Sequence, residues 1–308
     1  MKEILSLLPQ TISSKLLELP VDILQEVEEI RIRIGKPVEI LHKQHHRYLH
    51  HVTNERDAQR FMEQIAEHSF YRLEEELKRG YLTIPGGHRI GLAGKVILQS
   101  GEVKGIREVS SFNIRVARQK IGTCERFVPS LFDQKWKHTM IIGPPQSGKT
   151  TLLRDLARFV SSGNGQGIPS FKVGIVDERS EIAGCVKGVP QLELGNRVDV
   201  LDGCPKVEGM MMLIRSMSPD VLVVDEIGRK EDGDAILEAV NAGVTLMMSI
   251  HGSSLQDVKK RPVAKEIIEL GVFERFIELS RQSGPGTVTT IYDQLGRACK
   301  TRESVPYG

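Results

Sequence analysis

Gly143, Gly148, Lys149 and Thr150 fall at the spacing G-x-x-x-x-G-K-T within Gly143-Pro144-Pro145-Gln146-Ser147-Gly148-Lys149-Thr150. The short apolar run Thr139-Met140-Ile141-Ile142 precedes them. Thr151 to Val160 follows, with Leu152, Leu153, Leu156, Ala157 and Val160 on one helical face. Strand, glycine-rich turn and helix are the context in which this motif carries chemistry. The glycines let the backbone curl so that successive N–H groups converge on phosphate oxygens, and the helix terminus adds positive potential there. Lys149 then reaches the β- and γ-phosphates, the Thr150 hydroxyl ligates Mg²⁺, and Thr151 continues the same rim. The pattern predicts a nucleoside triphosphate site.

Cleaving the triphosphate asks for carboxylates beside that loop. Val221-Leu222-Val223-Val224-Asp225-Glu226 supplies two, and its four apolar residues bring the pair out at the carboxyl edge of a buried strand, where open α/β sheets bind ligands. Asp225 is expected to orient the magnesium shell. Glu226 is expected to polarise the attacking water, since phosphoryl transfer needs mainly positioning and charge neutralisation. Val173-Gly174-Ile175-Val176-Asp177-Glu178-Arg179-Ser180-Glu181 ends in the same way. Glu178 and Glu181 are therefore candidates for contacts to the metal or to its ligands, the alternative being a surface ion-pair cluster with Arg179. The run Val244–Ile250 delivers His251 to the same edge, as a sensor of the γ-phosphate.

The elements that must position these groups read as two domains in a chain of 308 residues. From about residue 119 the pattern alternates strand and helix, the signature of a mostly parallel sheet with helices on both faces. The runs Met140–Ile142, Val173–Val176, Val221–Val224 and Val244–Ile250 are its predicted strands. The helix after the phosphate loop is expected to stop at the glycine-rich surface loop Ser161 to Gly167. Residues 1–118 read as a smaller α+β domain. Short helices break at Pro9 and Pro20, and a strand carries Ile30, Ile32 and Ile34 alternating with Arg31 and Arg33. A hairpin follows over Val38–Val52, and Thr53 or Asn54 caps a helix through His68, which resumes over Tyr71–Lys78. A glycine-punctuated meander closes the domain.

Composition narrows the functional classes. Hydrophobic residues at 40% and charged residues at 27% suit a globular protein with substantial cores. A net charge of +2 and 5% aromatics argue against dedicated nucleic-acid binding. Cys124, Cys185, Cys204 and Cys299 form no C-x-x-C pair, which suits free thiols in a reducing cytosol. No apolar run reaches the roughly 18 residues of a spanning helix, so partners would have to hold the protein at any membrane. His42, His45, His46, His50 and His51 crowd one segment without acidic or cysteine ligands, which argues against a metal site.

Four segments in order give the chain a resemblance to the type II and type IV secretion ATPases. Gly143 to Thr150 resembles their phosphate loop, and Asp177-Glu178-Arg179-Ser180-Glu181 their acidic box. Arg215-Ser216-Met217-Ser218-Pro219-Asp220 leading into Val221–Ile227 resembles their glutamate box, and Ser249-Ile250-His251-Gly252 their histidine box. The resemblance covers roughly residues 105 to 290, and four ordered boxes are more specific than any one. Two positions depart from the pattern. Asp225 stands where glycine usually precedes the box glutamate, closer to general RecA-like ATPases, and Gly228 stands where an arginine usually follows, with Arg229 one place later. The resemblance implies a RecA-like P-loop ATPase domain over 119–308 preceded by the domain of residues 1–118. It also implies ATP and Mg²⁺ as cofactors and a homo-oligomeric, hexameric ring with ATP at subunit interfaces. The ring would cycle to drive a membrane-embedded secretion-like complex from the cytoplasmic face. Arginines from the smaller domain reach the phosphates in such rings, which here points to Arg107, Arg115 or Arg118.

Other classes stay in view. A DNA-acting RecA-like ATPase is opposed by the near-neutral charge, and a small-molecule kinase by the lack of an arginine-rich lid. A GTP switch lacks its Asn-Lys-x-Asp element, Asn196-Arg197-Val198-Asp199 being the nearest string.

Overall fold

The computed structural model describes residues 1–43, 45–66, 74–165 and 167–299. The chain divides into two compact units, Met1–Arg118 and Gln119–Gly308.

In the first unit, α1 (Lys2–Leu7), α2 (Gln10–Leu17) and α3 (Val21–Glu26) are separated by Pro9 and Pro20. Each proline sits immediately before a helix, where a fixed φ and a missing N–H cost nothing. A six-stranded antiparallel sheet follows in the order β3-β2-β1-β6-β5-β4. Its strands are β1 (Val27–Arg33), β2 (Pro37–His42), β3 (His45–Val52), β4 (Tyr81–Ile84), β5 (His88–Gln99) and β6 (Glu102–Arg115). Ile30 and Ile32 of β1 are buried, and the alternate arginines emerge. The helix α4 (Glu55–Ala66) starts at Asn54, whose side chain accepts from the Asp57 N–H at 3.0 Å while Asp57 accepts from the Asn54 N–H at 3.1 Å. That reciprocal pair satisfies two orphan donors of the first turn. α5 (Glu74–Arg79) precedes β4. His68 and Tyr71–Leu73, where the sequence predicts helix, lie outside the described residues.

The second unit opens with α6 (Val128–Leu131) and the tiny hairpin β7 (Phe132–Asp133) and β8 (Lys135–Trp136). Its main sheet has seven strands in the order β11-β10-β12-β13-β9-β14-β15. These are β9 (Thr139–Gly143), β10 (Val173–Asp177), β11 (Val198–Asp202), β12 (Val221–Val224), β13 (Thr245–His251), β14 (Arg275–Ser280) and β15 (Thr287–Asp293). Every pairing is parallel except that of β14 with β15. β11 and β15 escape the sequence reading because they are the sheet's edge strands, where burial is incomplete and the apolar run is diluted, and β14 because Glu278 interrupts its short apolar run.

Alternate residues of the central strands feed two cores, as the pleat requires. Ile141, Val173, Ile175, Val221, Val223 and Met247 pack with α7 (Lys149–Ser162) through Leu152, Leu153, Leu156 and Val160. Burying each of these side chains contributes roughly 1.5–3 kcal/mol. Met140, Ile142, Leu222, Val224, Leu246 and Met248 pack on the other face against α8 (Lys206–Met217), α9 (Lys230–Asn241), α10 (Leu255–Val258) and α11 (Pro262–Glu269). α7 runs two residues further than the sequence predicts. Ser161 is buried and accepts from the Arg197 N–H, and Gly163, at φ 67°, ends the helix instead. Among the described residues no helix is long and apolar enough to cross a membrane.

Candidate nucleotide site

Three parallel strands build the site. β12, β13 and β9 lie side by side, so the loop after β9 and the carboxylates after β12 flank the end of β13. The register sets His251 opposite Gly143. Residues that the sequence brings forward from three separate segments thus reach one edge of one sheet.

The loop itself is shaped by its glycines. Gly148 has φ 92°, a left-handed conformation, and a Cβ there would stand 2.8 Å from the Gly286 nitrogen. Gly286 in turn donates its N–H to the Ser147 carbonyl at 2.8 Å, so the turn between β14 and β15 braces the loop from outside. A Cβ on Gly143 would fall 2.3 Å from Ser147 Oγ. Gly148 is thus required by dihedral freedom and by space, and Gly143 by space alone.

Lys149 is buried and its Nζ donates to the carbonyls of Gly143 at 3.0 Å and Pro144 at 3.2 Å, and to Nδ1 of His251 at 3.1 Å. Burial pushes its ammonium below the usual lysine range, against the pull of Asp225, Glu226 and Glu181. With Lys149 donating to Nδ1, the His251 ring presents its Nε2–H to Glu226 Oε1 at 2.7 Å. The other Glu226 oxygen, Oε2, lies 2.7 Å from Nη1 of Arg179.

The Thr150 hydroxyl donates to Asp225 Oδ2 at 2.9 Å. Asp225 Oδ1 accepts from the Ser249 hydroxyl and from the Glu226 N–H. Ser249 also accepts from the Glu226 N–H, at 3.1 Å. Glu226 itself has φ 49°, left-handed for a residue with a Cβ, and these two acceptors on its N–H hold it there. Pro145, Gln146, Gly148, Lys149, Thr150, Thr151, Glu226 and His251 line a cleft of about 450 Å³.

The acidic turn after β10 departs from the sequence reading. Glu178 is not brought to the cleft. Its Oε2 lies 2.6 Å from Lys206 Nζ at the start of α8. Glu181 and Arg179 line the cleft in its place. The reason is Asp177, whose buried carboxylate accepts from the N–H groups of Glu181, Ile182 and Ala183 at 2.8–3.0 Å and folds the chain back on itself. Arg154 of α7 donates to the carbonyls of Glu181 and Ile182 from the other side. Sequence reasoning also missed Arg154 and Pro285, and gave Ser249 no role beyond its place in the histidine box. For Pro285 a signal existed, the turn-forming string Ser283-Gly284-Pro285-Gly286.

Other residues that the sequence singles out make contacts within their own unit. In the first unit the Arg118 guanidinium donates to the carbonyls of Gln25 and Val27, at 2.6 and 2.9 Å. Arg115 pairs with Glu29 at 3.5 Å and Arg107 with Glu108 at 3.6 Å. Of the clustered histidines, His42 pairs with Glu26 and His51 with Asp57, each at 2.8 Å.

A glycine-cradled lysine, a threonine joined to an aspartate and a glutamate on the neighbouring rim define a P-loop α/β fold. Two solved structures share the fold. One is the Legionella pneumophila ATPase DotB, with a TM-score of 0.55 at 14% identity over 82% of this chain and 72% of that one. The other is the pilus retraction motor PilT with bound ADP, with a TM-score of 0.56 at 14% identity over 85% and 78%. A family model described as "Sporulation stage III, protein AA" matches residues 1–299, and the chain belongs to that family. The stage III sporulation protein AA of Bacillus subtilis (strain 168) is 54% identical over 96% of each chain.

Proposed function

We propose that this protein hydrolyses ATP and uses the cycle as a motor within a secretion-like envelope complex of the sporulating cell, between mother cell and forespore. One observation carries the reading: Lys149, Thr150, Glu226 and His251 line one cleft and form a single hydrogen-bonded network with Asp225. The loop N–H groups and Lys149 bind and orient the phosphates, work that in phosphoryl transfer is most of catalysis. Thr150 and Asp225 offer a hydroxyl and a carboxylate, hard oxygen donors of the kind Mg²⁺ takes, and they would hold it. When bound, that ion neutralises charge on the β- and γ-phosphate oxygens. Glu226, set at the rim by its left-handed backbone, accepts the proton of the attacking water. His251 steadies one of its oxygens and joins it to Lys149.

The resemblance of the four ordered boxes to the secretion ATPases supports a ring of identical subunits, six in number, and docking to membrane-embedded partners from the cytoplasmic side, and the fold shared with DotB and PilT agrees with it. The family's name supports a place in sporulation. Glu226→Gln tests the chemistry: ATP should remain bound while turnover falls by roughly 10²–10⁴-fold, the usual span for a positioned proton acceptor. Turnover at the wild-type rate would remove Glu226 from this role.

A further inference from the structure

Glu226 faces the cleft with both carboxylate oxygens engaged, Oε1 by His251 and Oε2 by Arg179, each at 2.7 Å. An attacking water needs one of those oxygens. His251 is tied on its far side to Lys149, so Arg179 is the partner free to leave. Its side chain is 59% exposed, and an ion pair so open to solvent is cheap to break.

The backbone under Arg179 is, by contrast, fixed. Asp177 anchors the turn through the three N–H groups of residues 181–183, and Arg154 clamps its carbonyls to α7. A long, solvent-facing guanidinium therefore swings from a rigid base at the wall of a cleft whose other lining cation, among the described residues, is Lys149. Guanidinium geometry matches a carboxylate and a phosphate equally well. Within the cleft these are rival anions: Glu226 and the terminal phosphate of a bound triphosphate. A diphosphate brings no such rival.

We infer that Arg179 reads the terminal phosphate, holding Glu226 in an ion pair until a nucleoside triphosphate draws the guanidinium away and leaves Glu226 Oε2 to the attacking water. The inference rests on the nucleotide reading of the cleft. It makes Arg179 both a positioning residue for Glu226 and the residue that separates triphosphate from diphosphate.

A double-mutant cycle read by binding tests it on the full chain. Affinities for a non-hydrolysable ATP analogue and for ADP, each with Mg²⁺, are measured calorimetrically for wild type, Glu226→Gln, Arg179→Ala and the double variant. Glu226→Gln releases Arg179 in advance, so analogue binding should tighten roughly tenfold, the scale of coupling between touching residues, with ADP binding unchanged. In the Arg179→Ala background the same substitution should leave analogue binding within about twofold. Equal tightening in both backgrounds would mean that only repulsion between carboxylate and phosphate had been relieved, and would overturn the inference. So would equal tightening for ADP, or no tightening at all. Wild-type protein that binds neither nucleotide would instead overturn the reading of the cleft. Arg179→Gln replaces Arg179→Ala if the latter's circular dichroism departs from wild type.

Discussion

The Thr150 hydroxyl and the Asp225 carboxylate meet across 2.9 Å although the segments that carry them follow strands that are not neighbours, with β13 lying between β9 and β12. The contact joins the first turn of α7 to the end of β12 and fixes where two oxygen donors converge. Asp225→Asn keeps the shape and removes the charge. Turnover should fall roughly 10²–10³-fold, the scale of losing one preorganised electrostatic group at a reacting centre. Thermal melting should stay close to wild type, and an unchanged turnover number would exclude Asp225 from the metal site.

Gly148→Ala should destabilise the protein and remove nucleotide binding together. The left-handed φ of 92° costs a side chain about 1–2 kcal/mol. The new Cβ would also press on the Gly286 backbone, which cannot turn aside as a side chain would. Denaturant unfolding and nucleotide titration on one preparation would show both losses, and a variant that keeps both properties would disprove the packing argument.

Asp155 of α7 holds the segment that opens the second unit. Its carboxylate accepts from the N–H groups of Gly122 and Cys124, the Thr123 hydroxyl and the Arg158 guanidinium, at 2.8–3.1 Å. Burial raises its pKa, yet these donors together bring it below the usual aspartate range. Asp155→Ala strands several donors in the interior, at about 1–3 kcal/mol each, so a loss of at least about 3 kcal/mol is expected by urea unfolding.

Asp177 has the opposite pH behaviour. Burial pushes its carboxyl from 3.8 up to about 6, more than its three N–H donors pull it down. The folded protein therefore holds this proton more tightly than the unfolded chain does. The contribution to stability is fullest below the unfolded pKa and is lost as pH rises through about 6. Asp177→Asn does not titrate, so wild type measured against it should lose about 2–3 kcal/mol of relative stability between pH 4 and 7. A difference that stays flat, or grows with pH, would show that the N–H donors outweigh burial.

How far the site was legible follows from what each residue depends on. The loop, Asp225, Glu226 and His251 end buried parallel strands, and a buried strand announces itself as an apolar run whatever surrounds it. Glu178 and Glu181 were not separable in that way. Their fates depend on the reversal after Asp177, which places Ser180 at φ 53° and is made by a carboxylate bonding its own backbone four to six places on. Arg154 reads as one more polar residue on an amphipathic helix, and only the turn packed beside it shows why it is buried. Ser249 is equally mute in sequence, being a hydroxyl inside a strand whose partner, Asp225, directly follows the next strand.

The pairing of His251 with Gly143 fixes the imidazole in whole-residue steps. A slip of β13 by one place would send that ring to the opposite side of the sheet and bring a neighbour's side chain round in its stead. The spacing between cradle and histidine is thus ratcheted, not continuously adjustable. Descendants of this chain can retune it by exchanging the side chain at position 251, while sliding the strand would cost them the whole arrangement.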